Sequence, residues 1–307
     1  MSELSDIRYG LPEVKRALVV SPHPDDETLG CGGTIALFAD KIDFTVVALS
    51  NGEAVNIPEG NKGGLRKKEL GEAMKILGVR EVIFLGLPDG RLEENSDQIR
   101  KKLAEIYLQT KPELIFAPSP IDSHPDHRET AKACIALAAA FPPLKITFYE
   151  VYNPLRFNTL IDIGDKLETK RQALSRFHYS MLKKEGVFIS AILSLNKFRS
   201  LFTLEDSHYE AFFIADKPAT TGEMLRRLSL SSEPQSPEEE LLDTIRIGDA
   251  LLNGLRNCEE TVSSLREKAA SMQKTLDEKS LRVSSLEKRM SAVEQSLFGK
   301  IAKYFRR

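Results

Sequence analysis

Two short segments of the sequence carry residues that could bind a metal ion, the first tetrad His23-Pro24-Asp25-Asp26 and the second tetrad His124-Pro125-Asp126-His127. Histidine is scarce, with five in 307 residues, so two His-Pro-Asp segments are not expected by accident. Each tetrad places an imidazole three residues before another metal ligand, Asp26 or His127. Two imidazoles and one carboxylate are the ligand set of a catalytic divalent-metal site that leaves a position open for water. The sequence therefore predicts metal-assisted hydrolysis.

Hydrolysis of an amide at such a site also needs a base and a group that stabilises the oxyanion. A metal of this kind lowers the pKa of bound water from about 16 towards 7 and polarises the carbonyl. Asp25, adjacent to the ligand Asp26 but projecting differently, is suited to take a proton from water and deliver one to the leaving amine. His124, one helical turn before His127, could hydrogen-bond the oxyanion.

Two further carboxylates are expected to support the ligands without binding the metal. Asp126 lies between two histidines, where it could hydrogen-bond an imidazole or hold the loop. Glu27 follows the first tetrad and could act as a similar acceptor. Small residues around Cys31, flanked by Gly30 and Gly32, are expected to let a helix approach the sheet.

Both tetrads follow predicted strands. β-Branched apolar runs predict strands at residues 17–21, 43–49, 81–85, 113–117 and 145–152, with a late strand at 207–215. Amphipathic stretches predict helices at residues 29–39, 65–77, 98–110, 128–139 and 166–181. This alternation predicts an α/β fold with a Rossmann-like, mainly parallel sheet and flanking helices. Ligands collect at the carboxyl ends of such strands, so the loops after the first and fourth strands should form one site.

The C-terminal quarter of the chain has a different character. Residues 218–240 are rich in Ser, Pro and Glu and predict a linker after a catalytic domain at residues 1–217. A heptad repeat then predicts a coiled-coil helix at residues 241–307 and self-association through it. The predicted seam consists of Leu255, Val262, Ala269, Leu276, Val283, Met290 and Leu297 together with Leu251, Cys258, Leu265, Met272, Lys279, Leu286 and Val293. Its basic, aromatic end at residues 297–307 could fray in solvent or contact a membrane surface peripherally.

Composition narrows the class of protein. With 41% hydrophobic residues and a net charge of −2, the chain can form an ordinary core, and attraction to nucleic acid is not indicated. The three cysteines, Cys31, Cys134 and Cys258, form no CxxC pair and predict neither a disulfide framework nor a thiolate zinc site. We find no signal-peptide pattern and no apolar run of membrane-spanning length, and we expect a cytoplasmic protein.

At the two tetrads the chain resembles the LmbE-like, or PIG-L, family of N-acetylglucosaminyl deacetylases, whose pattern is HPDDE after a strand and later HPDH. The resemblance implies that His23, Asp26 and His127 bind the metal, usually Zn²⁺, with another divalent metal such as Fe²⁺ as the alternative. It also implies that Asp25 is the base, that His124 assists the oxyanion, and that Arg66 and Asp89 contact the sugar substrate. The residues before His124 lack an aromatic that some members carry, which leaves the acetylated sugar open.

Three functions stay open at this point. The first is a metal-dependent deacetylase acting on an N-acetylglucosamine-type sugar or sugar conjugate. The second is an amidase that cleaves a different acyl group from an aminosugar conjugate. The third is a non-catalytic, deacetylase-like scaffold on an oligomerising stalk, which the retention of all the ligands and the base argues against.

Overall fold

The computed structural model describes residues 7–54, 62–178, 185–215, 221–228, 270–275, 277–280, 282–285, 288 and 290. The chain divides into two compact units, residues 1–234 and residues 235–307. Both tetrads and the residues predicted to surround them lie in the first unit.

The first unit is built around one seven-stranded sheet with the strand order β3-β2-β1-β4-β5-β7-β6. Its strands are β1 (Arg16–Ser21), β2 (Asp43–Ser50), β3 (Glu81–Leu87), β4 (Leu114–Pro118), β5 (Lys145–Tyr149), β6 (Thr159–Asp162) and β7 (Tyr209–Ala215). The first five strands are parallel, and β7 runs antiparallel to both β5 and β6. The predicted α/β fold with a mainly parallel sheet is confirmed.

Helices cover both faces of this sheet. They are α1 (Asp26–Phe38), α2 (Lys62–Leu77), α3 (Ser96–Thr110), α4 (Pro125–Ala140), α5 (Leu167–Leu174), α6 (Glu185–Phe198) and α7 (Thr221–Leu228). Successive residues of β1 point to opposite faces, so Val19 joins the core beneath α1, α2 and α5, while Leu18 and Val20 join the core beneath α3 and α4. A strand buried on both faces is apolar throughout, which explains the uninterrupted run that ends at the first tetrad.

Three elements were not predicted. Strand β6 has only four residues, too few for a periodic signal, and α6 carries apolar residues around much of its circumference. Helix α7 falls inside the range predicted as a linker, where Met224 and Leu228 are buried in the core at helical i, i+4 spacing. Residues 221–228 therefore form a helix packed on the core of the first unit, within the range for which a linker is predicted. Helix α5 also ends earlier, at Leu174, than the predicted helix.

Little of the predicted coiled coil falls within the described residues. Those between 270 and 290 that the structure describes are helical, and the seam residues Met272, Val283 and Met290 are exposed. Lys279, the lysine of the seam, is also described and exposed. The other seam positions and the basic end lie outside the described residues, so the coiled coil and the membrane contact stay predictions. No helix in the described part of the chain has both the length and the apolar character needed to cross a bilayer.

Candidate metal centre

The two tetrads meet because their strands are neighbours. Strands β1 and β4 pair in parallel, with Ala17 opposite Leu114, so their carboxyl ends lie at the same edge of the sheet. The strand order reverses between them, and this is the point where open α/β sheets bind ligands. Helices α1 and α4 begin within the tetrads themselves, which holds both segments against the sheet. The predicted convergence of the two segments is confirmed.

Asp26 lies between the two histidines predicted to share a metal with it. Its Oδ2 atom is 3.1 Å from His23 Nδ1 and 3.3 Å from His127 Nε2. The same oxygen accepts a hydrogen bond of 3.0 Å from the backbone N–H of His23. Asp26 and His127 are buried. The ligand atoms of the three imidazoles, His124 included, also lie within 4.8 Å of one another.

These residues fit a bound divalent metal. Both ring nitrogens of His127 are buried and make no hydrogen bond, although each is 3.3 Å from a carboxylate oxygen, that of Asp26 or that of Asp122. A buried polar atom without a hydrogen bond is unfavourable, so Nε2, once deprotonated, has reason to bind an ion. Asp122 stands behind Nδ1, as carboxylates commonly do behind metal-binding histidines. Imidazole and carboxylate together suit zinc and, equally, Fe²⁺.

The electrostatics of the cluster also favour a cation. Burial lowers the pKa of an imidazole, yet the charge of Asp26 and the contact with Asp122 outweigh it and raise the pKa of His127 to about 9. Burial opposes ionisation of Asp26 as well, but the two histidines bring its pKa far below the usual range. Burial is likewise outweighed at His23, where hydrogen bonds with Asp126, Asp26 and Asp89 raise the pKa.

Asp25 lies beside these ligands under a strained backbone. Its φ of 147° belongs to the region that favours glycine, and such strain is characteristic of functional sites. Burial raises the pKa of Asp25 to about 6, although the positive charge of Arg66 opposes the rise. Arg66 Nη1 is 3.4 Å from the Asp25 carboxylate, and Nη2 donates to the Pro24 carbonyl. Arg66 is buried rather than solvated, and it holds the segment that carries Asp25.

The supporting carboxylates occupy distinct places. Glu27 is buried and accepts from the backbone N–H of Asp25 at 3.2 Å, and burial raises its pKa to about 7. Asp126 accepts from the backbone N–H groups of Gly90 and Leu92, and its Oδ2 is 3.1 Å from His23 Nε2. It therefore ties the loop after β3 to the first tetrad.

Asp89 and His124 complete the predicted set. Asp89 Oδ1 is 3.0 Å from His23 Nε2, and its other oxygen accepts from the backbone N–H of Ala54. Asp89 and Asp126 thus form, together with His23, a second group of residues whose atoms could bind a metal.

His124 caps α4, where its Nδ1 accepts from the Asp126 backbone N–H at 3.2 Å. A neutral His124 with an accepting Nδ1 carries its proton on Nε2. Burial and the neighbouring imidazoles lower its pKa, which favours this neutral form.

Three residues of the site were missed from the sequence. Asp122 backs His127, and its carboxylate also accepts from the backbone N–H groups of His124 and Tyr152. The ring of Tyr152 lies 5.2 Å from that of His127, and Phe188 packs edge-on against Tyr152 at 5.9 Å. Asp122 offered one signal, an acidic residue two positions before His124. The aromatic pair follows β5 and lies on α6, so only the sheet order brings it here.

A cleft of about 210 Å³ gives access to this cluster. It is lined by His23, Asp25, Asp26, Leu29, Ala54, Arg66, Asp89, His124, Tyr152 and Phe188. A larger cleft, of about 520 Å³, opens beside Tyr9 and Asp162, but no residue of either tetrad lines it. We assign the chemistry to the smaller cleft because the imidazoles and carboxylates converge there.

Comparison with known proteins adds a family and named relatives. Residues 18–138, which include both tetrads, match the PIG-L family, described as GlcNAc-PI de-N-acetylase. The chain is 28% identical over 196 residues to the diacetylchitobiose deacetylase of Thermococcus kodakarensis, covering 56% of this chain and 72% of that protein. It is 33% identical over 148 residues to a Bacillus anthracis protein named "Probable N-acetyl-alpha-D-glucosaminyl L-malate deacetylase 2", covering 45% of this chain and 66% of that protein.

A solved structure shares the fold. The N,N'-diacetylchitobiose deacetylase from Pyrococcus horikoshii, in complex with its inhibitor MPG, matches with a TM-score of 0.59 and 26% sequence identity. The match covers 66% of this chain and 85% of that chain.

Proposed function

We propose that this chain, whose residues 18–138 match the PIG-L family, is a metal-dependent hydrolase that removes the N-acetyl group from an N-acetylglucosamine-type sugar or sugar conjugate. One observation carries the proposal: His23, Asp26 and His127 converge beside a cleft lined by Asp25, a partly buried carboxylate whose pKa desolvation raises to about 6. The family match includes both tetrads, and the relatives named as deacetylases support the N-acetyl group as the one removed.

His23, Asp26 and His127 would hold the metal, for which we propose Zn²⁺. A divalent ion in this position supplies Lewis acidity, which lowers the pKa of water and polarises the amide carbonyl. Asp122 holds the His127 ring from behind, and Asp126 and Asp89 hold His23. The protein thus orients both imidazoles through carboxylates that need not bind the ion themselves.

Asp25 acts as the general base and then as the general acid. Its carboxylate accepts a proton as water attacks the acetyl carbonyl carbon. When the C–N bond breaks, the same carboxyl group returns a proton to the leaving amine, and acetate and the free aminosugar are released. A pKa of about 6 suits both transfers near neutral pH. Arg66 keeps Asp25 in place through the contact of 3.4 Å.

His124 stabilises the oxyanion that forms after water attacks the carbonyl carbon and before the C–N bond breaks. Because its Nδ1 accepts a backbone hydrogen bond, its Nε2–H remains as a donor on the side of the cleft. Asp122 accepts from the His124 backbone N–H, and the Asp126 backbone N–H donates to the ring at Nδ1, so no reorganisation is needed as charge develops.

The cleft suits one sugar ring. Its volume of about 210 Å³ is below the roughly 300–1,000 Å³ typical of sites for larger ligands, so the remainder of a conjugate would lie outside. Tyr152 and Phe188 offer an aromatic wall for the apolar face of the ring, while Arg66 and Asp89 offer polar partners for its hydroxyl groups.

Acetate release from a substrate panel tests the proposal. The purified chain, loaded with Zn²⁺ or Fe²⁺, is incubated with N-acetylglucosamine, diacetylchitobiose and N-acetylglucosaminyl malate, and acetate and free amine are quantified. We expect equal amounts of both from at least one substrate and none after chelation. A second panel contains the same sugars with a longer acyl group in place of acetyl, and release of free amine from this panel alone would favour the amidase. Absence of hydrolysis across both panels by metal-loaded protein would favour the scaffold.

We further propose that residues 241–307 self-associate as a coiled coil. The heptad repeat supports this proposal, as does the exposure of Met272, Val283 and Met290 on the described helical residues. Apolar residues repeated in this way gain stability by packing against another helix.

A further inference from the structure

Helix α1, which begins with Asp26, is broken in its middle. Cys31 has φ −142° and ψ 18°, outside the helical range, so α1 consists of two half-helices. The first half carries the candidate ligand Asp26 and follows directly on Asp25. The second half runs on to Phe38. Because the helix is broken at Cys31, the second half alone does not determine the orientation of the first half.

A buried ion pair binds the backbone groups at this break. Lys170 Nζ donates to the carbonyl of Leu29 at 2.8 Å. Glu210 accepts from the backbone N–H groups of Gly33 and Thr34 at 2.8 and 2.7 Å. In an unbroken α-helix the N–H of Gly33 would instead donate to the carbonyl of Leu29. Lys170 and Glu210 bind these backbone groups instead, Lys170 before the break and Glu210 after it.

The signs of the charges match the two half-helices. The C-terminal end of a helix carries partial negative charge and its N-terminal end partial positive charge. Lys170 stands at the end of the first half and Glu210 at the start of the second, so each charge faces the opposite dipole end.

The polar atoms of the Lys170–Glu210 ion pair all have hydrogen-bond partners. Lys170 Nζ bonds Leu29, Glu210 Oε1 at 2.7 Å and Asn196 Oδ1 at 3.0 Å, which uses its three protons. Lys170 and Glu210 are both 0% exposed. The residues come from α5, α6 and β7, so three elements meet the break at one point. We call Lys170, Glu210 and Asn196 the α1 clamp.

We propose that the α1 clamp is a positioning device that sets the orientation of the first half of α1 and, through it, the carboxylates of Asp25 and Asp26. The metal-related part of this inference rests on the proposed function. Asn196 lies on the helix that also carries Phe188, so the same clamp relates the ligand segment to the aromatic wall of the cleft. None of the clamp residues touches the substrate cleft.

Hydrogen exchange and metal affinity test the proposal in the full-length protein. Lys170→Met and Glu210→Gln remove one member of the pair at nearly constant volume. We expect faster amide exchange in residues 26–34, by tenfold or more. We also expect the Kd for Zn²⁺, measured by chelator competition, to rise on the order of 10- to 100-fold, the range seen when groups that orient metal ligands are lost.

Arg199→Met is the matched control. Arg199 also forms a buried ion pair, with Glu150. Neither residue has a described hydrogen bond to α1. This variant should be destabilised in a similar way but keep wild-type exchange in residues 26–34 and wild-type Zn²⁺ affinity. If either single clamp variant does not fold, the double variant Lys170→Met/Glu210→Gln is measured in its place, because it leaves no unpaired buried charge.

Wild-type exchange in residues 26–34 in a folded clamp variant would overturn the proposal. So would an equal rise of exchange and Kd in Arg199→Met, because the effect would then be general loss of stability. Acetate release by the wild type decides the proposed function separately: a protein that releases no acetate can still show the local change in exchange.

Discussion

Replacing Gly30 with alanine should destabilise the first unit, because no space exists for the added methyl group. A Cβ atom at Gly30 would lie 2.2 Å from Cδ2 and 2.8 Å from Cγ of Tyr149. Carbon atoms pack at about 3.5–4.0 Å, so ring or helix would have to move by about 1.3 Å. Tyr149 is fully buried and its hydroxyl donates to the Val20 carbonyl at 2.9 Å, so the ring has no room to retreat.

The expected loss follows from three contributions. Overpacking a core costs about 1–3 kcal/mol, and weakening the Tyr149–Val20 hydrogen bond adds about 1 kcal/mol. The lower backbone entropy of alanine in the unfolded chain offsets about 0.5–1 kcal/mol. We therefore expect the free energy of unfolding of Gly30→Ala to fall by about 1–3 kcal/mol.

Gly32→Ala is the matched control on the same helix. Its Cβ would lie 3.3 Å from Thr28 Cγ2 and 3.6 Å from its next neighbours, so a shift of a few tenths of an ångström suffices. We expect a change below about 1 kcal/mol. Urea unfolding followed by near-ultraviolet circular dichroism measures both variants. Equal free energies of unfolding for the two variants would refute the reasoning that close approach of α1 to Tyr149 dictates glycine at position 30.

Four further predictions concern the site and the stalk. His127→Ala should lose stoichiometric metal, because two ligands hold a divalent ion poorly; one metal per chain by elemental analysis would show that the ligand assignment is wrong. Asp25→Asn should retain metal but lose kcat by about 10²–10⁴, and a near-native rate would move the base to another carboxylate. Phe188→Ala should raise KM for the sugar with little change in kcat, and steady-state kinetics with kcat lowered alone would contradict a role in substrate binding. Removal of residues 241–307 should yield a monomer that still hydrolyses substrate, and a monomeric full-length chain in sedimentation at micromolar concentration would contradict self-association.

Local sequence patterns were enough to predict the parallel half of the sheet. The runs that became β1, β2 and β4 are mostly apolar because both faces of these strands are buried, and the tetrads mark where two of them end. Their meeting at one edge follows from parallel pairing. By contrast, β6 is four residues long, and the pairing that defines it is made with β7, fifty residues later.

The site was predictable where the chemistry is local and unpredictable where it depends on tertiary contact. His23 and Asp26 belong to one tetrad, so their types and spacing carry the signal. Asp122 acquires its role only when its carboxylate lies behind His127, and an aspartate before a turn has many other uses. Arg66 is followed by Lys67 and Lys68, a run that suits a solvated helix face equally well, and its burial against Asp25 depends on how α2 packs.

The parallel pairing of β1 with β4 also dictates when the ligand set can exist. Ala17 faces Leu114 across the sheet, so nearly a third of the chain must be synthesised between the first histidine and the strand that brings the second. A nascent chain that has emerged only as far as β3 holds His23 and Asp26 but no His127, and cannot retain a catalytic ion. Contacts between residues so distant in sequence also form late in folding, since the loop must close before they contribute. An ion that needs both tetrads binds the native state selectively, and at a free concentration one hundred times its Kd it would stabilise that state by about 2.7 kcal/mol. The supply of metal during translation would then influence how much chain survives as folded protein, apart from any influence on turnover.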